Sequence, residues 1–120
     1  MTATAAPAQT RLALAHGAFN LAGGLWPLVS MRSFEWVFGP KEDRWLAQTV
    51  AGLLAANGLS QLLAARSDAG IAHARRVGIG TAATLLAIDL VYVPSGRLRW
   101  TYLLDAAMEA GWITVWCRRT

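Results

Sequence analysis

Three carboxylic acids, Asp89, Asp105 and Glu109, interrupt runs of sequence that are otherwise almost wholly apolar. An ionised side chain in such a run is costly unless it is paired, protonated or hydrated. These three of the seven acidic residues are therefore the first candidates for chemistry. Asp105 and Glu109 are spaced i, i+4, one above the other on a helix, and Tyr102, Trp112 and Trp116 continue the same face. His16 with Asn20 and Asn57 with Gln61 repeat that spacing. Carboxyl groups brought together can share a proton, and an imidazole exchanges one near neutral pH. The chemistry on offer is the holding and passing of protons, or the binding of a small polar solute, with Trp112 as a wall of the pocket.

Other chemistries find no residues. Cys117 is the single cysteine, which excludes an internal disulfide framework, a CxxC pair and a zinc site built on several thiolates. The phosphate-loop, dinucleotide, HExxH and GxSxG signatures are missing, and no serine has a plausible His and acid at its level. A metal site needs His and carboxylates at one depth, and His16 is expected a full layer from Glu109. No metal or cofactor is expected.

The elements that would carry these residues follow from composition. The 120 residues are 55% hydrophobic and 15% charged, with a mean hydropathy of +0.36, which suits one domain in a bilayer. Residues 1–10 read as a disordered tail and 11–120 as a single domain. Four apolar segments, 12–30, 45–65, 77–93 and 100–117, approach the roughly 20 residues that cross a ~30 Å hydrocarbon core. The first runs through Trp26 and Pro27 without a small-residue cleavage site, so it is expected to be retained. Ala-rich and Leu-rich runs without period-2 alternation exclude strands, and four strands cannot close a barrel in lipid. The expected fold is all-α, an integral membrane four-helix bundle with short loops running up, down, up, down.

Counting inward from the helix ends at 1.5 Å per residue sorts the polar residues into three layers. His16 and Gln61 fall near the terminal surface. Asn20, Asn57 and Glu109 fall about 12 Å in, and Asp89 with Asp105 fall near the opposite surface. Read functionally, this is a ligand or proton path centred on Glu109. The same residues also suit a second role, in which the amides and His16 are interhelical glue and the acids neutralise Arg97 and Arg99.

The connections are punctuated as helices require. Gly39 and Pro40 stop a short interfacial segment holding Phe34, Val37 and Phe38, and Pro40 is placed in the first turn of the second long helix. Ser67 and Asp68 cap the third. Trp26, Trp36, Trp45 and Trp100 sit at boundaries as belt anchors. Gly17, Gly23, Gly24, Gly52, Gly58, Gly78 and Gly80 permit close helix approach. The terminal side carries six basic residues and the other side five, a weak preference for cytoplasmic termini. That near balance also suits an antiparallel homodimer. The basic residues form no stripe, so nucleic acid is not an expected partner; the expected partners are the lipid bilayer and a second copy or a larger membrane complex.

Three pieces, Gly-Gly-Leu-Trp-Pro at 23–27, Arg-Ser-Phe-Glu-Trp-Val-Phe-Gly-Pro-Lys at 32–41 and Tyr-Leu-Leu-Asp-Ala-Ala at 102–107, resemble the small bacterial four-helix membrane proteins grouped loosely as DoxX-like. The resemblance implies a four-helix fold and an inner-membrane location, and carries over no catalytic residue. The functional expectation is small-solute or proton-coupled binding or transport. The alternatives are an accessory subunit of a membrane complex, possibly a redox one, and last an intramembrane isomerase.

Overall fold

A computed structural model describes residues 6–118. Among these residues the chain is all-helical, in five helices: α1 (Ala6–Val29), α2 (Met31–Phe38), α3 (Arg44–Ala64), α4 (Asp68–Tyr92) and α5 (Tyr102–Arg118). Residues 6–10, expected as tail, form the first turns of α1; residues 1–5 lie outside the described part. Pro27 sits inside α1, and the helix ends two residues later. Ser30 then caps α2 by accepting from the N–H of Ser33, so the segment that Gly39 and Pro40 close is a helix of its own. Pro40 is not in a first turn: the next helix starts at Arg44 behind Asp43, whose side chain makes no capping bond. Ser67 caps α4 as expected, its Oγ accepting from the N–H of Gly70 at 3.0 Å. The fourth long helix starts at Tyr102, leaving Trp100 in the preceding turn.

Register shows how the long helices run. Along α1, Gly17 meets Gly58 and Gly24 meets Ala51 and Ala55, so α1 and α3 are antiparallel. Asn57 meets Thr81 and Gln61 meets Ala74, which sets α4 antiparallel to α3. His16 lies against Trp112 and Trp116, so α5 descends beside α1. The four long helices thus alternate in direction. The closest approach is between α1 and α3, where a Cβ on Gly58 would overlap the backbone nitrogen of Leu21 and the carbonyl of Gly17. Gly52 and Gly80, in contrast, have nothing within 4 Å of a Cβ and play no such part.

The sides of the bundle are unusual. The largest fully buried side chains are Trp116, His16, Gln61, Glu109 and Asn20, whereas Leu53, Leu90 and Val91 stand 63%, 55% and 58% exposed. The apolar core is small and lies at the terminal end, where Leu12, Ala13, Ile71 and Ala74 surround Trp116. Among the described residues one helix, over Pro7–Val29, is long and apolar enough to cross a bilayer. The other long helices carry Gln and Asn (α3) or Arg and Asp (α4), or are short (α5, 17 residues).

The far end is closed by α2. Thr101 Oγ1 donates to the Val37 carbonyl at 2.8 Å and Arg99 Nη1 to that of Trp36 at 3.3 Å. These bonds satisfy carbonyls that a helix C-terminus leaves without partners. Trp26 folds beneath α2, its indole N–H donating to Ser33 Oγ at 2.9 Å and its ring edge-on to Phe34 and Phe38. It is therefore packed, whereas Trp36, Trp45 and Trp100 are exposed.

Candidate functional site

Spacing on α5 puts Asp105, Glu109, Trp112 and Trp116 on the face turned toward α1 and α4. At its terminal end Trp112 stacks on His16, centroids 4.4 Å apart and planes 10° from parallel. The indole N–H of Trp116 donates to His16 Nδ1 at 2.9 Å. An indole nitrogen only donates, so Nδ1 is an acceptor and the neutral ring carries its proton on Nε2. Gln61 completes the hub. Its amide nitrogen reaches Nδ1 and the Ala74 carbonyl, each at 3.3 Å, and its oxygen accepts from Asn20 Nδ2 at 2.7 Å. Gly78 makes room for all of this, since a Cβ there would lie 2.7 Å from Gln61 Nε2 and 2.8 Å from His16 Nδ1.

His16 is wholly buried between the helices. The expected pairing of His16 with Gln61 is present. The middle layer is not as expected: Asn20 bonds to Gln61, one layer out, and Asn57 is exposed, donating to Thr81 Oγ1 at 3.1 Å. The reason is angular. Asn57 and Gln61 share a stripe of α3 by spacing, but Ala51, Ala55, Gly58 and Gln61 are the buried positions, and Asn57 lies at the edge of that face.

At the α2 end the three carboxyl groups converge. The Asp105 carboxyl is within hydrogen-bonding reach of Asp89 and of Glu109, joining the expected Asp pair to the deeper acid. Asp89 is 3% and Glu109 1% exposed. Asp89 Oδ2 and both Glu109 oxygens accept no N–H or hydroxyl donor, and His16 Nε2 and Asn20 Oδ1 are likewise buried without partners. Arg97 and Arg99 do not neutralise the acids; the ion pair among the described residues joins Arg44 to Glu35 at 2.7 Å. No group of three His, Cys, Asp or Glu side chains among the described residues is disposed to hold a metal ion.

Sequence reasoning did not assign the donor role of Trp116, the space made by Gly78, or the Asn57–Thr81 bond. The first was signalled by the position of Trp116 one turn beyond Trp112 on the acidic face. Two concavities lie off the column. One, of about 400 Å³, runs between α3 and α4 past Asn57, Arg76 and Thr81. The other, of about 320 Å³, lies among the loops beside α2. Compared with protein-family models, curated protein sequences and solved structures, the chain gives no match.

Proposed function

We propose that this is a multi-pass inner-membrane protein whose buried polar column binds a small polar solute or conducts protons, with Glu109 as its central group. The observation that carries this reading is the inverted sidedness of the bundle. Leucine and valine face outward while His16, Asn20, Gln61, Asp89 and Glu109 are buried. In water that arrangement exposes apolar area at about 25 cal/mol per Å²; in lipid the same surface is solvated and polar groups belong inside. Helices α1, α3 and α4, of 24, 21 and 25 residues, are long enough for a ~30 Å core at 1.5 Å per residue. The unpartnered donor at His16 Nε2 and the unpartnered acceptors on Asn20, Asp89 and Glu109 supply both halves of a hydrogen-bonding site, since buried polar groups are nearly always satisfied by protein, water or ligand. The DoxX-like resemblance agrees with this location and adds no activity.

The test is proton flux into liposomes carrying the purified chain, read by a pH-sensitive dye under an imposed gradient. Glu109→Gln is expected to lower the flux at least tenfold, and Asn57→Leu, outside the column, to leave it unchanged. Flux no greater than in empty liposomes would sink conduction, and full flux in the Glu109 variant would remove Glu109 from the path.

The open groove between α3 and α4 favours a second reading, an accessory subunit that seats a partner helix against Leu53, Val77 and Leu85. It predicts co-purification of a stoichiometric membrane partner in mild detergent, lost when a bulky residue replaces Gly80.

A further inference from the structure

The loops beside α2 bring Lys41, Arg97 and Arg99 around one concavity of about 320 Å³, walled by Phe38, Gly39 and Leu98. Pairing with acids does not account for the gathering. Glu35 takes the Arg44 guanidinium at 2.7 Å and the backbone N–H of Lys41 at 2.7 Å, and among the described residues neither Glu42 nor Asp43 forms an ion pair with Lys41, Arg97 or Arg99. The three cationic heads are left around a common space.

Two of the heads are held with donors to spare. Lys41 Nζ sits 4.6 Å above the centre of the Tyr102 ring and reaches the Phe38 carbonyl at 3.5 Å. Arg99 gives one N–H to the Trp36 carbonyl, of the five its guanidinium carries. Arg97 stands exposed beside them. Burial pushes the Lys41 ammonium below its usual range, Glu35 opposes the shift, and the Arg99 charge adds to it. Gly39, at φ 96°, keeps one wall bare, since a Cβ there would be strained and would lie 3.3 Å from Arg99 Nε. Clustered like charges repel, and an anion placed among them relieves the repulsion while using the spare donors.

We propose that this pocket binds a phosphate-bearing anion, the headgroup phosphate of an acidic lipid being the source its position favours. Arginine forks and a lysine point charge are the side chains that recognise phosphate. Trp36 and Trp100, 81% and 66% exposed, stand at the same end, where aromatic rings mark headgroup depth. The lipid source rests on the membrane reading; the anion site does not, and it is separate from the column.

The full-length chain, purified in a zwitterionic detergent, is titrated with phosphatidylglycerol, phosphatidylcholine and inorganic phosphate while tryptophan fluorescence follows thermal unfolding. Phosphatidylglycerol is expected to raise Tm by several degrees and phosphatidylcholine not to. Arg97→Gln with Arg99→Gln is expected to weaken the effect at least tenfold, and Arg66→Gln, at the opposite end, to leave it unchanged. Arg97→Gln alone, at an exposed side chain, weakens it in part without threatening the fold. A shift reproduced by inorganic phosphate supports the site with a free anion as its source. No shift with phosphatidylglycerol or inorganic phosphate, an equal shift with zwitterionic phosphatidylcholine, or a full shift in the double variant, overturns the proposal.

Discussion

The indole N–H of Trp116 donates to Nδ1 of His16 at 2.9 Å, across one hundred residues of chain. The bond ties the last helix to the first at the terminal end of the bundle and sets which nitrogen of His16 carries the proton. It also leaves Nε2, buried and unpartnered, as the donor that His16 offers to the column.

Removing that donor has a stated effect. Trp116→Phe keeps most of the aromatic bulk and is expected to destabilise the protein by about 1 kcal/mol, the net worth of a buried hydrogen bond, since Gln61 Nε2 still reaches His16 Nδ1. Denaturant unfolding in mixed micelles measures it. In a double-mutant cycle with His16→Phe the two changes should couple by about 1 kcal/mol; strict additivity would mean that the bond contributes nothing.

Two glycines two residues apart on α4 should respond with opposite signs. A methyl group at Gly78 would enter the hub, 3.0 Å from Trp116 Nε1 and closer still to Gln61 and His16, so Gly78→Ala is expected to cost about 1–3 kcal/mol by overpacking. Nothing lies within 4 Å of a Cβ at Gly80. There Gly80→Ala gains about 0.5–1 kcal/mol of helix propensity. Thermal unfolding of the two variants side by side tests both; equal effects would contradict the packing described for Gly78.

The two asparagines are also distinguishable. Asn20→Leu strips Gln61 Oε1 of its 2.7 Å donor inside the bundle, an expected loss of about 1–3 kcal/mol. Asn57→Leu removes an exposed bond to Thr81 and should change stability by about 0.5 kcal/mol at most. A larger loss at Asn57 than at Asn20 would reverse the burial assigned to them.

Acid should loosen the α2 end before the rest. The backbone N–H of Lys41 is the main cause holding the Glu35 carboxyl below its usual range; burial opposes it, and the bond and charge of Arg44 and the charge of Lys41 reinforce it. A carboxylate lowered on folding contributes stability that is fully present above its unfolded pKa of about 4.3. That contribution is lost as the pH falls through the folded value. Trp26 and Trp36 fluorescence, titrated from pH 6 to pH 3, should report the loosening, and Glu35→Gln should abolish the acid dependence assigned to this carboxylate. An unchanged profile in that variant would assign the transition elsewhere.

The helices were legible because their signals are local. Apolar runs of near-helical length, Ser67 before Asp68, and Gly39 and Pro40 after Phe38 act within a few residues of themselves. Their misreadings are local too. Proline favours the first turn of a helix, yet Pro40 lies in a loop held by the Lys41 N–H and the Arg44 guanidinium on Glu35. The carboxyl cluster was partly legible, since i, i+4 spacing places Asp105 and Glu109 on one face whatever else happens.

Where each polar residue points around its helix is a different kind of fact. It depends on rotation and close approach, which are decided by contacts between segments far apart in the chain. Gly58 lets α1 and α3 nearly touch and turns Gln61 inward, and that rotation carries Asn57 out to Thr81. Gly78 opens the space in which Trp116 and Gln61 meet His16. By itself the sequence determined that four long helices would carry acids and amides along apolar runs. Only the tertiary structure decided which of those groups met, because depth follows from counting along one helix, whereas facing depends on how several helices pack together.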